Sequence, residues 1–306
     1  MLICKLSDQL GNQMFAYAAI KSIAKDKGYK FGVLNEYDNQ FLKNDVDKKF
    51  GCNLLSIFEN IRNEIVSEVP EGYKEYVENR KGNSSLQEEV IQIADNTLMK
   101  GHYISPLYFM HRLREVQEWF QFPKEIENES IKTLEGLKAQ YPKGTKFCSV
   151  HFRNALDYRV KGFMLSKKYW VTAARKLLAD TSENIVFILF YDKKSQLITD
   201  FKKKMPSIII HKSLLEDFCL ISKCDYHIVC NSSFSVMAAL MDRKSVDNTY
   251  CPSIWPIPKG LYPIDTYPDK WIKVKTTRNI YSYLFGFIAP YLSPLKYLIK
   301  YLKFRK

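Results

Sequence analysis

Residues 146–154 read KFCSVHFRN, an apolar run that ends at once in a basic and an amide side chain. The run follows QYPKGT (140–145), where Pro142 and Gly144 break the chain, so Lys146–Phe152 is predicted to be a buried strand that starts after a turn. Downstream the same pattern recurs. Strands are expected at Asn184–Phe190, Ser207–His211 and Tyr226–Cys230, and helices at Ser166–Asp180, Lys194–Lys204, Leu214–Ser222 and Ser232–Met241. Upstream, Leu2–Leu6 and Phe31–Leu34 flank a helical Gln13–Lys27, while Glu68–Asn96 is polar and reads as loop or insertion. Strands alternating with helices of this length imply βαβ units and parallel sheets. The fold class expected is α/β with two Rossmann-like sets. An N-terminal domain over 1–142 and a second over 143–275 meet at the QYPKGT linker, followed by a tail over 276–306.

In open α/β sheets ligands bind beyond the carboxyl ends of the strands. Three predicted strand ends carry polar groups there: His151–Phe152–Arg153–Asn154, Tyr191–Asp192, and Asn231–Ser232–Ser233–Phe234. The last opens an apolar helix, which sets backbone N–H groups and hydroxyls at a positive helix end, a disposition suited to an anion. The plainer reading is an ordinary N-cap. Arg153 suits bidentate contact with a phosphate, its plainer reading being a solvated arginine at a strand end. Leu10–Gly11–Asn12–Gln13 joins a strand to a helix, and its glycine permits a tight turn or a close approach. It is no dinucleotide fingerprint, since the further glycines are missing.

The formal charge is +13, yet no acidic residue follows Asp269, and eight basic residues lie between Lys273 and Lys306. The excess therefore belongs largely to the tail, which argues against a nucleic-acid groove across the fold. The seven cysteines include no CxxC pair and no zinc-like cluster with histidine, so they read as free thiols in a reducing compartment. The start of the chain does not read as a signal peptide, and no apolar run reaches the ~20 residues of a membrane span.

Four segments occur in order: LGNQMFAYA from Leu10, GHYISPLYF at 101–109, HFRNALDY at 151–158 and CNSSFSVMAAL at 230–240. Together they resemble the α-1,2-fucosyltransferase family of bacteria and animals (glycosyltransferase family 11-like). That family carries a GxGNQxFQYA-like start, a GYFQS segment, an HxRRGDY motif and an NSTFSWWAAWL-like motif. The resemblance extends over roughly residues 1–275. It implies a GT-B fold, two Rossmann-like domains with parallel sheets facing across a cleft, with GDP-fucose held mainly by the second. It places Arg153, beside His151, at the donor diphosphate, Asn231, Ser232 and Ser233 near the donor, and Gly11, Asn12 and Gln13 at the cleft. Asp192 and Phe234 belong to the same expected donor site. The chain departs from the pattern at Asn154, Ala155 and the extra Leu156 before Asp157–Tyr158. It departs again at Ser7–Asp8–Gln9, where the family has a glycine-rich lead-in, at His102, where the family has Tyr, and at Val236–Met237, where it has a Trp pair.

Glycosyl transfer needs negative charge on the leaving diphosphate to be stabilised and the acceptor hydroxyl to lose a proton. The only Asp-x-Asp triplet, Asp45–Val46–Asp47, lies far from the predicted donor half, so no metal and no cofactor beyond the donor substrate are expected. Arg153 with the Ser232/Ser233 helix start is the expected replacement. Asp157 is the first candidate base and Asn12 a hydrogen-bonding alternative. Inversion, giving an α-1,2-linked fucose on a galactoside, follows from the resemblance. The expected partners are a nucleotide-sugar donor and a glycan acceptor, lipid-linked in surface polysaccharide synthesis, and not nucleic acid. From Leu295 onward Leu295, Leu298, Ile299 and Leu302 fall at helical spacing with Lys296, Lys300 and Lys303 on other faces, which reads as an interfacial helix. Residues 278–306 are therefore expected to make peripheral contact with the cytoplasmic face of a membrane. The alternatives are a GT-B enzyme using another nucleotide sugar, or a non-catalytic basic protein docking on membranes.

Overall fold

The computed structural model describes residues 1–34, 53–79, 85–155, 158–159, 161–257, 260–262 and 264–288. The first sheet comprises β1 (Leu2–Lys5), β2 (Phe31–Leu34), β3 (Ile65–Val66), β4 (Lys74–Val77) and β5 (Thr97–Lys100), all parallel, in the order β3-β2-β1-β5-β4. The second comprises β6 (Lys146–Phe152), β7 (Ile185–Tyr191), β8 (Ser207–Ile209), β9 (Tyr226–Ile228) and β10 (Thr249–Pro252), joined at its far edge by the strand Ile272–Val274. It too is parallel throughout. Counted along the chain, its order is the 3-2-1-4-5-6 of a doubly wound nucleotide-binding sheet. Order reverses between β1 and β5 in the first sheet and between β6 and β9 in the second. In open α/β sheets, crevices open at switch points of this kind.

β6 and β7 are buried on both faces, as parallel strands covered by helices must be. Phe147, Val186, Ile188 and Phe190 face one apolar core, and Cys148, Val150, Phe152, Phe187 and Leu189 face another. The first of these cores runs without a break into the N-terminal sheet, taking in Leu2, Cys4, Phe15 and Ile20. Helix α1 (Leu10–Asp26) explains how: it is buried along nearly its whole length, from Leu10 to Ala24, between the first sheet and the second half. A helix apolar on every side belongs in such a position. Each large side chain it buries, Phe15 or Ile20 for example, contributes roughly 1.5–3 kcal/mol.

The loop expected over Glu68–Asn96 is corrected: it contains β4 and a short helix at Glu88–Ile91. β4 is an edge strand whose Lys74, Glu75 and Val77 are exposed, so its composition is that of a solvated surface. Helix Lys124–Lys138 precedes QYPKGT in sequence yet packs on helix Leu214–Ile221, with Lys212 Nζ donating to Glu129 (2.9 Å) and to Thr133 (2.8 Å). Six cysteines are buried free thiols, while Cys52 lies outside the described residues.

Candidate active site

At the second switch point β6 delivers Arg153, and the segment after β9 delivers Asn231–Ser232–Ser233. Arg153 forms an ion pair with Asp192, at the end of β7, and its guanidinium lies 4.6 Å from the Tyr158 ring centroid. Asp192 also accepts from the backbone N–H of Asn154 (2.8 Å) and of Ala155 (3.1 Å), so this one carboxylate folds the loop that carries the arginine. Tyr158 donates its hydroxyl to Asn231 O (2.8 Å), and Asn231 Nδ2 donates to Phe163 O (2.8 Å). A continuous polar chain thus runs from Asp192 through Arg153 and Tyr158 to the start of helix α2 (Ser233–Leu240).

α2 begins against α1. A methyl group added to Gly11 would lie 2.4 Å from Phe234 N, closer than any side chain tolerates, so glycine is what lets the two helix starts approach. Ser233 Oγ donates to Asn12 Oδ1 (2.5 Å) across the seam. Among the described residues neither helix has a side-chain cap or an acidic residue in its first turn. Two uncapped N-termini, each carrying about half a positive charge, therefore meet at one place beside Arg153. Chemically this place suits an anion with several oxygens, such as a diphosphate.

The other expected residues lie beneath this surface. Gln13 is fully buried, donating to Asp8 O (2.9 Å) and accepting from Leu54 N (2.8 Å). Ser232 is buried and its carbonyl accepts from Ser235 Oγ (3.1 Å), while the Phe234 ring packs tilted against His151, with centroids 5.3 Å apart. His151 is buried, with Cys230 Sγ 3.4 Å from its Nδ1, and burial pushes its pKa down to about 4, so it is neutral near pH 7. It supports the site from below. Asp157 and the Asp45–Val46–Asp47 triplet lie outside the described residues, as does the tail beyond residue 288. Among the described residues no His, Cys, Asp and Glu cluster has the form of a metal site. No described helix is long and apolar enough to cross a membrane.

Sequence reasoning gave Asp8 no role and noted His102 only as a departure. Asp8 follows β1 and His102 follows β5, so they occupy the switch point of the first sheet, and His102 Nε2 bonds the Asp8 carboxylate. Asp8 has φ +60° and Tyr103 φ +49°, a conformation uncommon away from glycine. Glu78 holds the segment by accepting from the backbone N–H of His102 (2.7 Å) and of Tyr103 (3.0 Å). A signal was available, since an aspartate standing where a glycine-rich turn is usual needs a reason to be there.

A second polar chain, Ser149–His227–Asp242, has the look of a catalytic triad, with Ser149 Oγ 2.8 Å from His227 Nδ1 and Asp242 Oδ2 3.1 Å from Nε2. All three are buried, so it serves to tie β6, β9 and the turn at Asp242–Ser245 together.

Two doubly wound parallel sheets that share a core and bring their switch points to a common seam define a GT-B fold. The comparisons agree. The chain is 24% identical over 309 residues to an α-1,2-colitosyltransferase of Escherichia coli, across 90% of this chain and 99% of that protein. Its fold is similar to the crystal structure of the fucosyltransferase NodZ from Bradyrhizobium, with TM-score 0.50 and 15% identity over 78% of this chain and 92% of that one. The same holds for the NodZ α-1,6-fucosyltransferase co-crystallised with GDP, with TM-score 0.50 and 16% identity over the same 78% and 92%. These relatives are all glycosyltransferases. No protein-family model matches the chain.

Proposed function

We propose that the protein is an inverting, metal-independent glycosyltransferase that moves L-fucose from GDP-fucose to a galactoside hydroxyl, forming an α-1,2 linkage in surface polysaccharide synthesis. The observation that carries the reading is the meeting of two uncapped helix N-termini beside Arg153 at the second switch point. A leaving diphosphate gains charge as the glycosidic bond breaks, and fixed positive ends of this kind stabilise it without rearrangement. Arg153 exchanges Asp192 for the diphosphate when the donor arrives. Asp192 meanwhile keeps its two backbone donors, which hold the loop in place. The similarity to NodZ, crystallised with GDP, supports a guanosine diphosphate donor. The test is a calorimetric and thermal-shift titration with GDP, GDP-fucose, GDP-mannose, UDP and UDP-galactose, with and without magnesium. Stabilisation by GDP species alone, independent of metal, is expected. A preference for UDP removes the donor assignment.

A second reading of the sugar is favoured by the similarity to an α-1,2-colitosyltransferase. Colitose is the 3-deoxy counterpart of L-fucose, so the two donors differ by one hydroxyl. Competition between the two GDP-sugars in one transfer assay separates them.

The reading extends to peripheral contact with an anionic bilayer on the cytoplasmic side through residues 278–306. The helix Ile280–Ile288 leaves Ile280, Tyr281 and Leu284 60, 78 and 52% exposed. The chain entering it pairs Arg278 with Leu165, close to Lys167 and Lys168. Those two, with Arg175 and Lys204, line a cavity of about 390 Å³ whose lining includes one carboxylate, Asp200. Apolar side chains beside lysines suit a lipid surface. Ile280→Glu with Leu284→Glu should abolish co-sedimentation with phosphatidylglycerol vesicles and leave GDP binding unchanged. Retained sedimentation contradicts the contact.

A further inference from the structure

Two of the chain's departures from the family pattern, Asp8 and His102, are distant in sequence and touch each other. They do so at the carboxyl ends of β1 and β5, the switch point of the first sheet, where a ligand of that domain would sit. Three sets of contacts fix the pair. Asp8 takes the Nε2–H of His102. Glu78 fixes the backbone of His102 and of the residue after it. Gln13 Nε2 donates to the Asp8 carbonyl (2.9 Å) and so pins the strained residue. Their side chains stay 16% and 25% exposed, unlike the buried His151. With Nε2–H given to the carboxylate, the lone pair of the neutral ring lies on Nδ1, for which no hydrogen-bond partner exists among the described residues. Four residues on from Asp8, Asn12 touches Ser233 of the donor side.

We propose that His102 is the general base of the transfer reaction and that Asp8 is its positioning residue. The proposal rests on the glycosyltransferase reading above and adds to it the group that activates the acceptor. As the acceptor hydroxyl oxygen bonds to the anomeric carbon, its proton passes to His102 Nδ1. The bond from that carbon to the diphosphate oxygen breaks, and its electron pair leaves with GDP. The imidazolium, paired with Asp8, then returns its proton to water. Histidine is the side chain most often used for this work, and a carboxylate fixing the tautomer of its other nitrogen is the usual support. The strained backbone at Asp8 is consistent with a residue kept for its side chain.

The test uses the full chain with GDP-fucose and the acceptor found by screening. His102→Gln should lower kcat by about 10²- to 10⁴-fold, abolish the acid limb of the kcat/KM profile and leave the Kd for GDP within about twofold. His102→Ala should regain activity on addition of imidazole. Asp8→Gly suits φ +60°, so its Tm should not fall, while kcat drops at least about tenfold and the acid limb moves. Wild-type transfer together with a His102→Gln enzyme of near wild-type kcat and the same pH profile overturns the proposal alone. So does parallel loss of GDP binding, which would mark His102 as structural. A wild-type chain that binds no nucleotide overturns the glycosyltransferase reading, and the base falls with it.

Discussion

The two sheets share a winding and differ in what they carry at the point where it reverses. In the second sheet that point gathers positive charge: Arg153, the start of α2 and, across the seam, the start of α1. In the first it gathers a carboxylate and an imidazole, Asp8 and His102. Each switch point also has a histidine at the end of a flanking strand, and the two sit in opposite settings. His151 is sealed under Phe234 and kept neutral by burial, whereas His102 is part-exposed and paired with a carboxylate. Topology supplies two switch points, and under the proposals above the residues set there suit one to a leaving anion and the other to a departing proton. Such a division is what a two-substrate transfer asks of two domains.

The comparison can be broken most directly at Arg153. Arg153→Ala should cost about 10²- to 10³-fold in kcat/KM with Tm unchanged, as loss of an electrostatic donor does, and unchanged turnover would remove the diphosphate role. The contrast between the histidines is sharpened by pH. His151 has a folded pKa of about 4 against an ordinary 6.5, so below 6.5 the unfolded chain takes the proton first. Stability is lost as pH falls toward 4, by about 3 kcal/mol in all. His151→Phe should flatten that part of the Tm-against-pH curve, and an unchanged slope would show that His151 is not held neutral. At the seam itself, Gly11→Ala forces α1 and α2 apart and should destabilise by about 1–3 kcal/mol, read from urea unfolding, while weakening GDP binding. The smallest effect belongs to Asp8→Gly, which relieves a left-handed backbone and should raise stability by up to about 1 kcal/mol. A clear drop instead would make Asp8 a structural residue.

Much of the second sheet was legible because its strands are buried on both faces and read as apolar runs. Lys146–Phe152 was placed to the residue, and Arg153 and the Asn231–Ser233 turn were found from the polar residues that end those runs. The first sheet was harder. β4 is a solvated edge strand of lysine, glutamate and tyrosine, and β5 is four residues long, so neither carries a strong period. The meeting of Gly11 with Phe234 and of Asp8 with His102 depends on chain crossings that no local pattern encodes. His151 shows the converse: it stands in a motif at a strand end, and only burial reveals that it faces the core.

The most direct test is calorimetric titration of the wild-type chain and Arg153→Ala with GDP in EDTA. The account predicts that GDP binds the wild type without metal, that UDP binds far more weakly, and that Arg153→Ala loses most of the affinity while remaining folded. Absence of GDP binding, or equal affinity in the two proteins, would contradict the assignment of the second switch point as the donor diphosphate site.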